Sequence, residues 1–362
     1  MKPRPPGPLP FTPVPRNAAG PVRLPRENLL LHHDATGATV PVRTPADWQR
    51  RRAEIVCGME AVMGPFPGGA SPKRIALDVR VEEQIDRDTY VVHRITYQSE
   101  PGSRTPAFLC IPKAALATNG RAFPAVLCLH PTDHTVGAGV VVGLGGKANR
   151  QYASELATRG YVTLAPAYPH LAGYAPDLAD LGYASGTMKA IWDNTRALDV
   201  LDSCPFVRRG AFGVVGHSLG GHNAVFTAVF EPRLVAIVSS CGLDSFPDYG
   251  GGNPALWAHG EGWCQHRYMP RLADYHGRLT EIPFDFPEII GALAPRTVFI
   301  SAPLRDDNFQ WQSVDRIAAA ARPIFQLHNA ADRLRVEHPD SAHDFPAAQR
   351  ETAYRLFATV LK

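Results

Sequence analysis

The stretch that decides the fold is Ala211-Phe-Gly-Val-Val215, then Gly216-His217-Ser218-Leu219-Gly220, then Gly221-His-Asn-Ala-Val-Phe-Thr-Ala-Val-Phe230. The first five residues are a short apolar run that reads as a buried strand, and the last ten read as a helix. Between them lies a G-x-S-x-G pattern. In a strand-turn-helix context this pattern lifts a serine hydroxyl clear of the strand's C-terminal end, because the small flanking residues let the turn close tightly. The pentapeptide by itself is equally compatible with a glycine-rich turn that carries no chemistry. The strand before it and the helix after it favour a nucleophile.

Outward from this point strands and helices alternate. Ala125-Val-Leu-Cys-Leu129 and Tyr161-Val-Thr-Leu-Ala165 read as buried strands, with a helix near 149–159 between them. A helix over about 185–201 places Met188, Ile191, Trp192, Thr195, Leu198 and Leu201 at helical spacing. Further strands are expected at 212–215, 234–238, 297–300 and 324–327, the last ending near His328. Such alternation means a mostly parallel sheet with helices on both faces. Upstream, three β-branched runs at 75–81, 90–97 and 107–111 are separated by turn residues and predict an antiparallel meander. Thr44-Pro45 opens a helix with a capping hydroxyl and a proline in the first turn, and Gly64-Pro65 closes it after Met63. Residues 1–27 hold nine prolines, too many for a packed element, so an extended arm is expected. The chain divides into that arm, an N-terminal part over 28–104 and a catalytic domain over 105–362. A lid or binding insertion is expected at about 242–290.

Composition sets outer bounds. The 37 basic and 34 acidic side chains leave a net charge of +3, which gives no reason to expect nucleic acid or an anionic membrane as partner. No apolar run is long enough to span a bilayer, and Met1-Lys-Pro-Arg-Pro-Pro lacks the apolar core of a signal peptide. The expectation is therefore a cytoplasmic enzyme acting on a small molecule, unless a signal has been removed. The oligomeric state is open, with a homo-oligomer compatible. None of the six cysteines sits in a CxxC pair, so they read as reduced. The His, Asp and Glu residues show no metal-ligand spacing, and no cofactor or metal is expected.

A serine hydroxyl needs a base within hydrogen-bond reach and a third group to orient that base. On a sheet of this kind the chain order is Ser, then Asp or Glu, then His, with all three beyond the C-terminal ends of the strands. Asp306 follows the 297–300 strand, with Asp307 as its competitor. His343 lies between the last strand and a final helix that starts near Pro346, with His338 as its competitor. The oxyanion donors expected are the backbone N–H of Leu219, directly after the nucleophile, and that of Thr132 in the loop after Leu129. Pro131 has no N–H to offer. The longest connection, 242–290, concentrates Trp257, Trp263, Tyr268 and Tyr275, which either line a binding wall or form a small local core. Candidates for substrate contact are His130, Asp133, His217, Tyr168, Trp263 and Tyr268. His222 reads as a packed, hydrogen-bonded core histidine. The glycine-rich stretch 137–146 reads as a mobile rim and not as a dinucleotide loop.

The segments Gly216-His-Ser-Leu-Gly-Gly221, Asp306-Asp-Asn308 and His343-Asp-Phe345 resemble the α/β-hydrolase superfamily. The nearest branch is that of dienelactone hydrolases, acetyl-xylan esterases and prolyl-oligopeptidase-like enzymes. The resemblance covers roughly 105–362. It implies that the first Asp of Asp-Asp-Asn is the triad acid, which supports Asp306. The helix bearing Trp48 and Arg50–Arg52 is similar to extensions on some bacterial esterases of this branch. One departure stands out: His130-Pro131-Thr132-Asp133-His134 replaces a His-Gly-Gly-Gly oxyanion motif. The expected activity is serine carboxylic-ester hydrolysis through Ser218, His343 and Asp306, on acylated carbohydrates or other small esters. A prolyl-oligopeptidase-type peptidase is the alternative, and a non-catalytic hydrolase-fold binding protein is the lesser one.

Overall fold

The computed structural model describes residues 23–69, 72–118, 120 and 122–361. The expected proline-rich arm lies outside the described residues except for its end, 23–27. Two short strands, β1 (Leu31–His33) and β2 (Thr39–Pro41), pair antiparallel and lead into helix α1 (Pro45–Met63). Thr44 caps α1: its hydroxyl accepts the Asp47 N–H, and the Asp47 carboxylate reaches back to the Thr44 N–H. This reciprocal cap removes two of the donors that a helix start leaves unused.

The meander follows as β3 (Arg80–Asp86), β4 (Tyr90–Glu100) and β5 (Ser103–Pro112), with the short helix α2 (Lys113–Leu116) at its end. The first of these strands begins five residues later than its apolar run predicts. Residues 75–79 precede the strand, and the Leu77 carbonyl accepts the Gln98 N–H of β4 at 2.6 Å. The strand itself is a solvent-exposed edge rich in charge, with Val81 56% exposed. An edge strand needs no apolar face, and its charges block pairing with another chain.

The remaining elements alternate in the expected way: β6 (Ala125–Leu129), α3 (Tyr152–Thr158), β7 (Val162–Pro166), α4 (Gly186–Ser203), β8 (Phe212–His217), α5 (Leu219–Phe230) and β9 (Leu234–Ser240). After the insertion come α6 (Phe286–Ala292), β10 (Thr297–Ser301), α7 (Trp311–Leu327), β11 (Leu334–Glu337) and α8 (Ala347–Val360). The expected strand at 324–327 is the last turn of α7. Val314, Ile317, Ala318, Ala321, Ile324 and Phe325 are buried along one face of that helix. Pro323 inside the helix disguised the continuity, since proline usually marks an end. The last strand is β11, beginning ten residues later than expected.

One nine-stranded sheet results, in the order β11-β10-β9-β8-β6-β7-β5-β4-β3. Strands β6 to β11 run parallel to one another, and the meander joins antiparallel through β5 and β7. Apolar side chains from α1 and α4 to α7 cover one face, and α3 with α8 covers the other. Among the described residues no helix is long and apolar enough to cross a membrane.

The first described residues are tied to the insertion by buried charge. Arg23 and Arg51 both pair with the Glu288 carboxylate, which is fully buried, and Arg26 pairs with Asp285. Removing a buried ion while leaving its partners costs about 3–5 kcal/mol, because the remaining charges lose their compensation. Losing a solvent-exposed helix cap costs about 1 kcal/mol. Glu288→Gln is therefore expected to lower the urea unfolding free energy several times more than Thr44→Ala. Equal losses would show that the charge cluster is not what holds α1 against α6.

Candidate active site

Strands β6 and β8 are neighbours, yet the chain leaves β6 toward β7 on one side and reaches β8 on the other. A reversal of this kind opens a crevice beyond the strands' C-terminal ends. Ser218 and the loop after Leu129 both stand there. The turn at Ser218 is strained: its φ is +56° and its ψ is −121°, a combination that a side chain seldom adopts without support around it. The support is close packing. A Cβ on Gly216 would lie 2.1 Å from the Gly220 backbone, and one on Gly220 would lie 2.0 Å from the Leu129 carbonyl oxygen. The glycines thus serve contact, while the serine itself takes the positive φ. The Ser218 N–H donates to the Ser240 carbonyl at 2.8 Å, which ties the turn to β9. Leu219 follows as the first residue of α5, and the opening N–H groups of a helix have no intrahelical acceptor.

His343 and Asp306 meet. The imidazole Nδ1 lies 2.9 Å and 3.0 Å from the two carboxylate oxygens of Asp306. The Asp306 side chain is 1% exposed, and its Oδ1 also accepts the N–H groups of Asn308 at 2.9 Å and Phe309 at 3.1 Å. Burial pushes this carboxyl up, but the His343 contact and the two backbone donors outweigh it and hold the group below the usual range. Asp307 is exposed. His338 is spent elsewhere, with Nε2 3.0 Å from Asp315 on α7 and Nδ1 2.7 Å from the Ala302 carbonyl.

The loop carrying His343 is clamped by residues that motif reading passed over. Arg150 pairs with Asp344, and its Nη2 donates to the His343 carbonyl at 3.2 Å. Asn149 Nδ2 donates to Asp344 at 2.8 Å, and Arg350 Nη1 donates to the Phe345 carbonyl at 2.6 Å. The signal available was the acidic residue directly after His343. Cys241, just past β9, has φ of +49° and places its Sγ 3.3 Å from the Asp344 carbonyl. Burial pushes its thiol well up. His217 is buried, with its ring centre 4.8 Å from that of His343 and its Nδ1 3.1 Å from the Ser240 hydroxyl. The donor atoms of His217, Cys241 and His343 lie within 4.8 Å of one another, a nitrogen-sulfur set suited to a soft ion. His343 is already committed to Asp306.

The fungal glucuronyl esterase family model matches residues 177–328, a span that holds Ser218 and Asp306. Over 300 residues the chain is 26% identical to the protein named "Putative hydrolase YtaP" of Bacillus subtilis (strain 168), covering 80% of this chain and 94% of that protein. It is 22% identical over 171 residues to 4-O-methyl-glucuronoyl methylesterase 1 of Sodiomyces alcalophilus, covering 42% of this chain and 33% of that one. The solved glucuronoyl esterase from Solibacter usitatus superposes with a TM-score of 0.70 at 20% identity, over 92% of this chain and 97% of that structure. The chain has the α/β-hydrolase fold.

Within this hydrolase fold the other sequence candidates take distinct positions. His130 is buried, and its ring is engaged on both sides: Nε2 accepts the Tyr168 N–H at 3.0 Å, and Nδ1 lies 2.7 Å from the Pro131 carbonyl. Burial pulls its pKa down to about 4. It joins the ends of β6 and β7 through backbone partners. Asp133 accepts the N–H groups of Thr135, Val136 and Gly137, so its carboxylate caps a turn. Thr132 is exposed, with its hydroxyl 3.2 Å from that of Tyr268. Tyr168 donates its hydroxyl to the Arg267 carbonyl at 2.9 Å. Trp263 stacks on His222 with ring centres 4.3 Å apart, and it also faces Phe309. His222 is packed as expected, but both its ring nitrogens lack a hydrogen-bond partner among the described residues. The glycine-rich stretch divides: Gly137–Val142 is a buried 3-10 helix, and 143–146 are exposed. The insertion forms its own aromatic core, with Trp257, Phe284 and Phe286 each in ring contact with Phe246.

Asp244, four residues past β9, is buried and accepts the Gln310 N–H at 3.3 Å. Burial, with Asp248 and Asp285 nearby, raises its pKa to about 7, against the help of Ser313 and Gln310. An unfolded Asp loses its proton near about 4. Between about 4 and 7 the folded state therefore holds the extra proton, and stability falls as pH rises through that window. Asp244→Asn is expected to flatten this slope, read from urea unfolding at a series of pH values. An unchanged slope would remove Asp244 as its source.

Proposed function

We propose that this chain is a serine carboxylic-ester hydrolase that acts on carbohydrate esters through Ser218, His343 and Asp306. The observation that carries the reading is the Asp306–His343 contact at 2.9 Å, beyond the C-terminal ends of the parallel strands, together with Ser218 held at positive φ after β8. The ester-hydrolase class is supported by the glucuronyl esterase match and by the likeness to the Solibacter usitatus enzyme. The carbohydrate part of the reading rests on those proteins' names.

In the mechanism that follows, Asp306 holds the imidazole with Nδ1 protonated, which leaves Nε2 as base. His343 takes the Ser218 hydroxyl proton as the oxygen attacks the ester carbonyl. The carbonyl π electrons move to oxygen, and the oxyanion is stabilised by the N–H of Leu219 and a second N–H from the loop after Leu129, that of Thr132. The ester C–O bond breaks, the alcohol leaves with the proton from His343, and an acyl-serine remains. Water, deprotonated by His343, attacks the acyl carbon, and the acid is released as Ser218 regains its proton.

The test is a set of initial rates on p-nitrophenyl esters from acetate to octanoate and on the benzyl ester of glucuronic acid. Ser218→Ala is expected to lower kcat by at least about 10³-fold, and Asp306→Asn by about 10⁴-fold with the fold intact. Hydrolysis by Ser218→Ala at the wild-type rate would overturn the assignment. Cleavage of aryl esters without the glucuronate ester would remove the carbohydrate part alone.

A further inference from the structure

We propose that Arg267, with His134, His170 and His266 around it, forms an anion-recognition site beside the candidate active site that binds a carboxylate carried by the ester substrate. The proposal rests on the reading of Ser218 as an esterase nucleophile and adds the charge class of the substrate: an ester that bears a free carboxylate, as an acidic sugar chain does.

Position links Arg267 to the chemistry. Its guanidinium lies 5.1 Å from the centre of the Tyr268 ring. Tyr268 contacts Trp263 at 5.5 Å, Trp263 contacts Phe309 at 6.2 Å, and Phe309 contacts His343 at 5.8 Å between ring centres. These rings form one row that begins at the candidate base and ends under Arg267. The Tyr268 hydroxyl also meets the Thr132 hydroxyl, on the loop expected to supply an oxyanion donor. The backbone at Arg267 is fixed from beneath: its carbonyl accepts from Tyr168, and it packs so closely on Gly186 that a Cβ there would lie 2.3 Å from that carbonyl oxygen.

Charge then points to the ligand. Among the described residues no carboxylate lies within ion-pair distance of Arg267. Its one side-chain partner is the Nε2 of His134 at 3.5 Å, and its own Nε is shielded from solvent without an acceptor. The His170 ring lies 4.9 Å from that of His266, and the His170 Nε2 is likewise buried without a partner. The one acid acting on His170 is Asp177, whose carboxylate already takes the N–H groups of Ala179 and Asp180. Arg23, Arg150, Arg233 and Arg350 each meet a carboxylate, and the half-buried Arg52 and Arg296 donate to backbone carbonyls instead; among the described residues the Arg267 guanidinium has neither. A planar guanidinium left without either, lying over the Tyr268 ring and beside the His134 imidazole, matches the two oxygens of a carboxylate.

The experiment compares p-nitrophenyl hemiesters of succinate through adipate with neutral p-nitrophenyl esters of equal chain length, in wild type, Arg267→Gln and Arg267→Lys. Wild type is expected to favour one or more hemiesters. Arg267→Gln should lower kcat/KM for them by at least about 10-fold, chiefly through KM, while the neutral esters change by less than about 2-fold, since only the charged arm loses its partner. Arg267→Lys should keep part of the preference. Equal losses on both series, or none on either, would overturn the proposal and leave the esterase reading standing. If neither series is cleaved, the esterase reading fails. Calorimetric titration with glutarate then decides the anion site: binding weakened by Arg267→Gln supports it, and binding absent or unchanged in the variant sinks it.

Discussion

The structure turns on a contact with no room in it. The Gly220 Cα lies against the Leu129 carbonyl, and Gly216 lies against Gly220, so that the C-terminal end of β8, the start of α5 and the end of β6 occupy nearly the same space. That crowding puts Ser218 into a backbone state it would not choose alone. It also fixes the distance between the nucleophile turn and the loop after β6. Any side chain at Gly216 or Gly220 would have to move backbone, since the atoms it meets belong to the main chain. The geometry at the crevice follows from the sheet order, and the sheet order brings in β9 and β10 with Ser240 and Asp306 at their ends.

Around this fixed turn the polar groups divide by environment. Asp306 has three donors and stays ionised although buried. Asp244, a short way along the same crevice, has too few donors, with one carboxylate oxygen unpartnered among the described residues, and holds its proton to about 7. Two buried carboxyls of the same kind therefore differ in charge because of the number of N–H and O–H groups aimed at them. Arg150 and Asp344 do for the His343 loop what the glycines do for the serine turn, with charge in place of contact.

The sequence made the centre of the fold legible and its edges less so. The G-x-S-x-G turn and the buried runs of β6 and β8 rested on local patterns that tertiary structure had no reason to override, and Asp306 and His343, expected to face each other, lie in contact. The misread elements share a cause. Strand β3 is polar because it is an exposed edge, and β11 has only four residues, so neither carries the apolar signal of a buried strand. Pro323 within α7 hid a helix whose apolar face was regular. His130 and Asp133 follow a strand end, a place where side chains can face a ligand. Their hydrogen bonds go to backbone, a fact that depends on residues 38 positions away in one case. Arg150, Cys241 and Arg267 carry no motif, and only the folded chain places them.

The clamp between Arg23, Arg26 and the pair Asp285 and Glu288 joins residues some 260 positions apart. It gathers the two ends of α6's surroundings only after nearly the whole chain has been made. Contacts of such separation close late, since a long loop must first be ordered. The insertion therefore has its scaffold completed from outside itself. Its sequence cannot be exchanged as a cassette between relatives unless the segment at 23–26 travels with it.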